Sequence, residues 1–310
     1  MNAASKGPRA DFVWMDGEMV PWDDANIHVL SHVIHYGSGV FEGARVYQHP
    51  RGSAMFRMRD HVRRLAESAK MLRMEIAWSA DELYEAIRET VKKNGLDACY
   101  VRPVVYRGAG PAGVNPLNNP VNVFIAVWPW GAYLGDEAIN DGVDVCTSSF
   151  RRMAPDTHLP MGKVVGNYVN SQYAKMEAVL GGFAEAIMLD VYGNLAEGSG
   201  ENLFVIRDER IYTPMYGNTV LGGITRNCAM VLAREMGYEV VEQAIPREFL
   251  YVADEAFFTG TAAEVTPIRS VDRLPVGAGS RGPITEKIQK AFFDIIEGRE
   301  EDRHEWLEFV

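Results

Sequence analysis

The architecture of this chain is clearest in the stretch Val121-Asn122-Val123-Phe124-Ile125-Ala126-Val127-Trp128 and the residues after it, Pro129-Trp130-Gly131-Ala132-Tyr133-Leu134-Gly135. No charged residue occurs from position 108 to 135, but prolines and asparagines leave only Val123–Trp128 as an apolar run. A run this short predicts a buried strand, at Val121–Trp128, and not a membrane-spanning helix. The prolines and glycines after Trp128 indicate a domain boundary. We therefore expect a small N-terminal domain at 1–129, an interdomain loop at 130–141 and a larger C-terminal domain at 142–310.

Helices and strands alternate on both sides of this boundary. Before it, Val40–Tyr47 has the pattern of one strand, and Arg59–Met74 places apolar residues on one helical face. Ser79 and Glu82 have the spacing of a capping box, which predicts the start of a further helix. After the boundary, Tyr168–Leu180 has helical spacing and lies among short apolar strands. Two α+β domains are predicted.

Composition and charge narrow the class of protein. The chain has 310 residues, of which 47% are hydrophobic and 24% are charged, as is typical of a globular protein with about two domains. Its net charge of −11 disfavours binding to nucleic acid. The three cysteines form no CxxC pair, and the N-terminus has no apolar signal segment. We therefore predict a cytoplasmic protein with no nucleic-acid or membrane partner.

Two motifs have a functional interpretation that the surrounding sequence disfavours. Gly108–Gly113 matches GxGxxG, but the prolines that follow prevent the helix that a dinucleotide site requires, so a plain loop is predicted. His28, His32 and His35 have a spacing that could hold a metal, but no carboxylate or cysteine lies nearby. We expect these histidines to pack and to hydrogen-bond the backbone, and we expect no metal.

A lysine, a carboxylate and a set of glycine turns have the chemistry of one kind of site. Lys163 lies in the locally uncharged stretch 159–168, where its amine is either a nucleophile or a loop side chain that reaches solvent. Glu197-Gly198-Ser199-Gly200-Glu201-Asn202 places carboxylates in a small-residue turn. Leu221–Arg226 and Gly260–Ala263 offer hydroxyls and backbone amides for an anion. These are the parts of a pyridoxal phosphate site.

The ordered set of motifs resembles the class IV (fold-type IV) pyridoxal-phosphate aminotransferases, and among them the branched-chain amino-acid aminotransferases, from about Val13 to Leu307. The matching motifs are Tyr36-Gly37-Ser38-Gly39-Val40-Phe41-Glu42-Gly43, Tyr100-Val101-Arg102-Pro103, Gly162-Lys163 with Gly166-Asn167-Tyr168, Glu197–Phe204, Gly223-Ile224-Thr225-Arg226 and Gly260–Glu264. The resemblance implies a smaller α/β N-terminal domain, a larger C-terminal domain with a β-barrel-like core, and a homodimer or higher oligomer.

The resemblance also implies the residues that bind the cofactor, pyridoxal 5′-phosphate. Lys163 would be the catalytic lysine, which holds the cofactor and then moves a proton. Glu197 would pair with the pyridine nitrogen, and Tyr168 would hydrogen-bond the ring oxygen O3′. The remaining cofactor-binding residues would be Arg64, Leu221, Gly223, Ile224, Thr225 and Thr261.

The implied substrate pocket joins apolar walls to carboxylate-binding groups. Arg102 would receive the second carboxylate of glutamate, and the amides of Thr261 and Ala262 would bind the α-carboxylate. The other implied residues are Tyr36, Phe41, Gly43, Arg45, Tyr100, Val114, Trp130 and Tyr133, with Val114 contributed to the partner's pocket. The chain departs from the family at Gly222, where proline is usual, and at Ala44, where a bulkier aliphatic residue is usual.

The predicted reaction is transfer of the amino group of L-leucine, L-isoleucine or L-valine to 2-oxoglutarate. An alternative with the same fold is a D-amino-acid or (R)-amine transaminase, and a less favoured one is an aminodeoxychorismate lyase. A non-catalytic protein that binds pyridoxal phosphate is a further alternative, against which the presence of Lys163 argues.

Overall fold

The computed structural model describes residues 8–131, 135–216 and 219–310. Contacts group the chain into two compact units. Unit 1 comprises Met1–Gly131 and Ile296–Val310, and unit 2 comprises Ala132–Ile295. Residues 296–310, which the sequence interpretation assigned to the C-terminal domain, therefore lie with the N-terminal unit. Tyr133, one of the implied substrate residues, lies outside the described residues.

The elements of both units are named here in chain order. The strands are β1 Phe12–Met15, β2 Glu18–Pro21, β3 Gly39–Phe41, β4 Ala44–His49, β5 Gly52–Phe56, β6 Cys99–Arg107, β7 Val121–Trp128, β8 Val143–Arg151, β9 Glu185–Leu189, β10 Leu195–Gly198, β11 Asn202–Arg207, β12 Arg210–Pro214, β13 Val240–Gln243, β14 Glu255–Gly260, β15 Glu264–Val271, β16 Leu274–Pro275 and β17 Leu307–Phe309. The helices are α1 His32–Tyr36, α2 Met58–Met71, α3 Ala80–Asn94, α4 Asp136–Asp141, α5 Tyr168–Leu180, α6 Ile224–Glu235 and α7 Pro283–Ile296.

Unit 1 is an antiparallel sheet with helices packed against it. Its strand order is β17-β5-β4-β6-β7-β1-β2, and β3 also pairs with β6. The predicted capping box at the start of α3 is present, because Ser79 accepts from the Glu82 amide while the Glu82 carboxylate accepts from the Ser79 amide. Helix α3 then packs on β1 and β7. The strand β7 has the bounds predicted for the apolar run that follows the prolines.

The prediction of one strand at Val40–Tyr47 is wrong, because the chain forms β3 and β4 with Glu42 and Gly43 between them. Both strands pair with β6, β3 opposite Val104–Tyr106 and β4 opposite Cys99–Val101. Pro103 lies opposite Glu42 at the break. Its carbonyl accepts from the Glu42 amide at 2.9 Å, but proline has no amide hydrogen to donate in return, so the ladder is interrupted there. The break turns the Glu42 side chain into the interior, where its carboxylate is fully buried.

Unit 2 contains a closed barrel of six strands. The order β10-β9-β8-β15-β14-β11 returns to β10 through a further β10–β11 pairing. Strand β8 runs parallel to both β9 and β15, whereas the other pairs of the barrel are antiparallel. Buried apolar side chains including Val145, Ile187 and Phe258 form a core of this unit. The barrel-like core implied by the resemblance is confirmed.

The barrel and the helices beside it set the framework of the site. Helix α5 packs on β8 and β9, and α6 packs on β14. The short helix α4 lies within the predicted interdomain loop. Among residues 8–131, 135–216 and 219–310, no helix combines the length and apolar character that crossing a membrane requires.

Candidate active site

Lys163 is held in position and does not extend into solvent. It precedes a single 3-10 turn, Val165–Asn167, that leads into α5. The Asn167 side chain donates to the carbonyls of Leu159 and Gly162 at 3.0 and 3.4 Å, which closes the loop around the lysine. Lys163 Nζ donates to Tyr168 Oη at 2.5 Å in partly buried surroundings. Of the two interpretations of Lys163, the geometry favours the nucleophile.

Glu197 is a buried carboxylate held by three donors. Its Oε1 lies 2.6 Å from Arg152 Nη2, and its Oε2 accepts from Asn202 Nδ2 at 3.2 Å and from the Leu221 amide at 3.0 Å. Burial raises the pKa of the Glu197 carboxyl, while the charges of Arg152 and Lys163 and the Leu221 amide act in the opposite direction. A carboxylate in these surroundings is suited to a further cationic hydrogen-bond donor.

Arg152 is a site residue that sequence reasoning missed. It follows the end of β8 and is itself buried. Its guanidinium reaches the Thr219 carbonyl at 3.4 Å and Ser171 Oγ at 3.5 Å as well as Glu197. The sequence carries no local signal for this role, since Arg152 and Glu197 are 45 positions apart and belong to no common motif.

The start of α6 is suited to an anion. Gly223 is the N-cap residue and provides no side-chain cap, so the first amides of this helix have no partner within it and their dipoles favour negative charge. A Cβ on Gly223 would lie 1.9 Å from Asn202 Oδ1. Only glycine at this position therefore lets the Asn202 side chain approach. Asn202 Nδ2 donates to the Leu221 carbonyl of this turn at 2.9 Å and also to Glu197 Oε2, so it links the turn to Glu197.

The Tyr216 ring limits which residues can replace Gly222. A Cβ on this residue would lie 2.6 Å from the Tyr216 ring. The turn before α6 is therefore in contact with Asn202 at Gly223 and with Tyr216 at Gly222.

The donor set of unit 2 fits the pyridoxal phosphate that the resemblance implies. An amine (Lys163) suits an aldehyde, a phenol (Tyr168) suits a ring hydroxyl, and a buried carboxylate (Glu197) suits a pyridinium. The uncapped start of α6 suits a phosphate. Thr261 and Ala262 lie in the turn between β14 and β15, on the same unit.

Glu201 differs from its neighbour Glu197 in its surroundings. Its Oε2 accepts from the Gly200 amide at 3.0 Å, and the residue is buried. Burial, and then the negative charge of Glu185, raise the pKa of Glu201 to about 8. Glu185 in turn lies beside Lys175, whose Nζ is 2.7 Å from its Oε2. Of the two carboxylates predicted in this turn, the structure thus presents only Glu197 with a cationic partner at bonding distance among the described residues.

In unit 1, Arg102 lies among aromatic rings. Its guanidinium carbon is 4.7 Å from the centroid of Phe41, 5.3 Å from that of Tyr100 and 5.7 Å from that of Trp128. Its Nε is buried and has no hydrogen-bond partner among the described residues. Gly43 lies under the same tyrosine, because a Cβ there would be 1.9 Å from Tyr100 Oη.

Arg64 and Arg45, two further implied residues, bind groups within unit 1. Arg64 Nε and Nη2 donate to the two carboxylate oxygens of Glu42 at 2.6 and 2.8 Å, and His61 Nδ1 lies 2.7 Å from Glu42 Oε2. Burial alone would raise the pKa of Glu42, but Arg64 and His61 outweigh it and hold the pKa well below its usual range. Arg45 donates to the carbonyls of Trp130 and Gly131 at 3.4 and 2.9 Å.

The remaining implied residues of unit 1 lie at its surface. Tyr36 is 51% exposed and Val114 is 80% exposed. Trp130 is also exposed, and its ring contacts Tyr100 edge to face at 4.5 Å between centroids.

The histidines make the hydrogen bonds that were predicted. His32 bonds Ser38 Oγ at 2.6 Å and the Gly113 carbonyl at 2.8 Å, and His35 bonds the Val29 carbonyl at 3.0 Å. The stretch 108–113 is an irregular loop, as predicted. Across the described ranges, no group of three or more His, Cys, Asp or Glu side chains is arranged to hold a metal ion.

Comparisons with known proteins agree with this chemistry. A family model described as amino-transferase class IV matches residues 39–271. The branched-chain-amino-acid aminotransferase of Pseudomonas aeruginosa is 50% identical over 99% of this chain and 99% of its own. The crystal structure of the Escherichia coli branched-chain amino acid aminotransferase is 48% identical with a TM-score of 0.95, covering 97% of this chain and 99% of its own. That of the T.th. enzyme complexed with N-(5′-phosphopyridoxyl)-L-glutamate is 45% identical with a TM-score of 0.93, over 97% and 99% of the two chains.

Proposed function

This chain belongs to the class IV aminotransferases and is a branched-chain-amino-acid aminotransferase that uses pyridoxal 5′-phosphate, and from that premise we propose how its residues divide the reaction and which acceptor it uses. The observation that carries the proposal is the arrangement of Lys163, Tyr168 and Glu197 on one unit, beside the uncapped start of α6.

Lys163 is the catalytic residue. When bound, pyridoxal phosphate supplies an aldehyde that takes up the amino group and a ring that withdraws electrons from the substrate carbon. Lys163 Nζ would hold the cofactor and, as a free amine, would take the proton from the substrate Cα and return it. Its contact with Tyr168 Oη at 2.5 Å orients the amine for both tasks.

Glu197 keeps the pyridine nitrogen protonated. Its carboxylate is fixed by Arg152, Asn202 and the Leu221 amide, so it is positioned before the cofactor arrives. Arg152 opposes the effect of burial on the pKa of Glu197 and thereby favours the ionised form that a pyridinium needs.

The phosphate is bound by the turn before α6 and by hydroxyl groups. We assign this role to Gly223, Ile224 and Thr225, together with Leu221 and Thr261, because the amides at a helix start attract an anion. Arg64 adds a guanidinium, whose plane Glu42 fixes through two hydrogen bonds.

The acceptor is 2-oxoglutarate, and Arg102 recognises its second carboxylate. Support comes from Arg102 itself, which carries a positive charge with no carboxylate at bonding distance among the described residues. The substrate α-carboxylate is assigned to the amides of Thr261 and Ala262. The apolar walls are assigned to Tyr36, Phe41 and Tyr100, with Gly43, Arg45, Val114, Trp130 and Tyr133 completing the proposed pocket.

The working form is a homodimer in the cytoplasm. Several large apolar side chains of unit 1 are exposed, including Val29 at 72% and Val114 at 80%. Large apolar side chains left exposed are typical of an interface, and Val114 is assigned to the partner's pocket.

The test is the half-reaction followed by the absorbance of the cofactor. We expect L-leucine to convert the aldehyde form of the purified enzyme and 2-oxoglutarate to restore it, whereas D-alanine and (R)-1-phenylethylamine should leave it unchanged. Rapid conversion by D-alanine or the amine would reassign the substrate class.

Lys163 is tested by a matched pair of lysine variants. Lys163→Ala should retain the fold by circular dichroism but show no conversion by L-leucine. The control Lys70→Ala, at an exposed position of α2, should behave as the parent enzyme. Normal turnover by Lys163→Ala would contradict the assignment.

A further inference from the structure

On the face of the unit 1 sheet that carries Arg102, three aromatic rings surround its guanidinium. In the register of β6 and β7, Arg102 lies opposite Ala126, and Tyr100 lies opposite Trp128. The rings of Tyr100 and Trp128 are in contact, with 5.3 Å between centroids. The small side chain of Ala126 leaves space for the guanidinium beside these rings, and Phe41 of β3 supplies the third ring.

The three rings stabilise the positive charge of Arg102, as a carboxylate partner otherwise would. An arginine whose Nε is buried without a hydrogen-bond acceptor would ordinarily be costly. Arginine is more weakly hydrated than lysine and stacks on aromatic faces, so rings at 4.7–5.7 Å offset part of that cost. Arg102 is therefore stable in a position where no anion is bound.

We propose that Trp128 is a specificity-determining residue, because its ring stabilises the resting position of Arg102 and thereby allows the pocket to accept an apolar side chain as well as an acidic one. The proposal rests on the proposed function, in which both leucine and glutamate are substrates. Trp128 acts through Arg102 and belongs to none of the motifs that carry the family resemblance.

The two kinds of substrate depend on the ring to different extents. In the free enzyme water can reach the partly buried Arg102, but a bound apolar side chain excludes that water and supplies no carboxylate. Arg102 therefore depends on the rings most when leucine is bound. With glutamate or 2-oxoglutarate bound, the carboxylate supplies charge-assisted hydrogen bonds. Loss of the Trp128 ring therefore weakens the reaction with leucine more than the reaction with glutamate.

The experiment compares Trp128→Leu with two controls on the holoenzyme. Trp128→Phe keeps a ring at this position. Phe124→Leu removes a ring from the same strand. Phe124 packs on Tyr106 with 5.9 Å between centroids, and it is not among the rings found around Arg102 in the described part of the chain. For each protein, kcat/KM is measured in the half-reactions with L-leucine and L-glutamate. The dissociation constants of 4-methylvaleric acid and glutaric acid are measured from the cofactor absorbance.

Trp128→Leu should lower the leucine-to-glutamate ratio of kcat/KM by about 5- to 30-fold, which corresponds to about 1–2 kcal/mol for one cation–π contact. The change should appear in the KM for leucine and in weaker binding of 4-methylvaleric acid, while glutaric acid binds as to the parent. Trp128→Phe and Phe124→Leu should stay within about twofold of the parent ratio.

An equal loss for both substrates, or an equal change in Phe124→Leu, would overturn the proposal. If Trp128→Leu does not fold, Ala126→Val crowds the resting position of Arg102 instead and should shift the ratio in the same direction. Failure of the proposed function is separately visible, because the parent enzyme would then not react with L-leucine or not bind glutaric acid.

Discussion

Replacement of Gly223 by alanine should break the hydrogen bonds through which Asn202 links the turn before α6 to the Glu197 carboxylate. The added Cβ would lie 1.9 Å from Asn202 Oδ1 and 3.0 Å from Arg226 Cβ. The Asn202 side chain must move, since its oxygen cannot remain at that distance. The movement breaks two hydrogen bonds of Asn202 Nδ2, to Glu197 Oε2 at 3.2 Å and to the Leu221 carbonyl at 2.9 Å.

The size of the effect follows from these two contacts. A neutral hydrogen bond contributes about 0.5–1.5 kcal/mol and one to a charged group about 1.5–3 kcal/mol. Their joint loss predicts that Gly223→Ala lowers the free energy of unfolding by about 2–4 kcal/mol. Binding of pyridoxal phosphate should weaken as well, because both the turn and Glu197 lose a positioning contact.

The assay is urea unfolding of the apo protein, with titration of pyridoxal phosphate into each variant. The matched control is Gly200→Ala, in the neighbouring turn, where an added Cβ meets nothing within 4 Å. This control should stay within about 0.5 kcal/mol of the parent. The reasoning fails if the two variants have the same stability and the same affinity for the cofactor.

Three further changes have defined expectations. Arg152→Met leaves Glu197 buried without its cation and should lower the free energy of unfolding by about 3–5 kcal/mol, which thermal melts will measure. The double variant Arg152→Met with Glu197→Gln should recover part of that stability, but it should not recover activity in the half-reaction. Glu201 keeps its proton in the folded protein at pH values where it is ionised in the unfolded chain. Stability should therefore fall as pH rises from about 5 to about 8, and Glu201→Gln should reduce that slope in denaturant titrations; an unchanged slope would contradict the raised pKa. Ser79→Ala removes the capping contact of α3 and should cost about 1 kcal/mol without changing turnover, whereas a change in kcat would contradict a purely structural role.

Local physical rules determined several elements from the sequence alone. Val121–Trp128 and Tyr168–Leu180 have the bounds that their patterns predicted, because apolar spacing and flanking glycine or proline act over a few residues. The capping box of Ser79 and Glu82 is equally local. The locally uncharged stretch around Lys163 could be recognised in the sequence, whereas its electrostatic interaction with Glu197, 34 positions away, could not.

Only the tertiary structure decided what depends on residues far apart in the chain. The strand at 40–47 breaks where Pro103, on a different strand, lies opposite Glu42 and cannot donate a hydrogen bond to it. The barrel closes by a pairing of β10 with β11, and β17 joins β5 in unit 1. Strand patterns report which face is buried but not which strand is the partner.

The candidate active site also has features that the sequence predicted and features that only the tertiary structure decided. Sequence motifs predicted the groups that would meet the cofactor, but not Arg152, which lies 45 positions from Glu197 in the sequence and 2.6 Å from its carboxylate in the structure. They named Phe41 and Tyr100 in the same pocket as Arg102, but not Trp128, whose ring reaches Arg102 from a third strand. Chemical groups are a property of the sequence, whereas burial, charge pairing and the resulting pKa shifts are properties of distance and solvent exclusion, which exist only once the chain has folded.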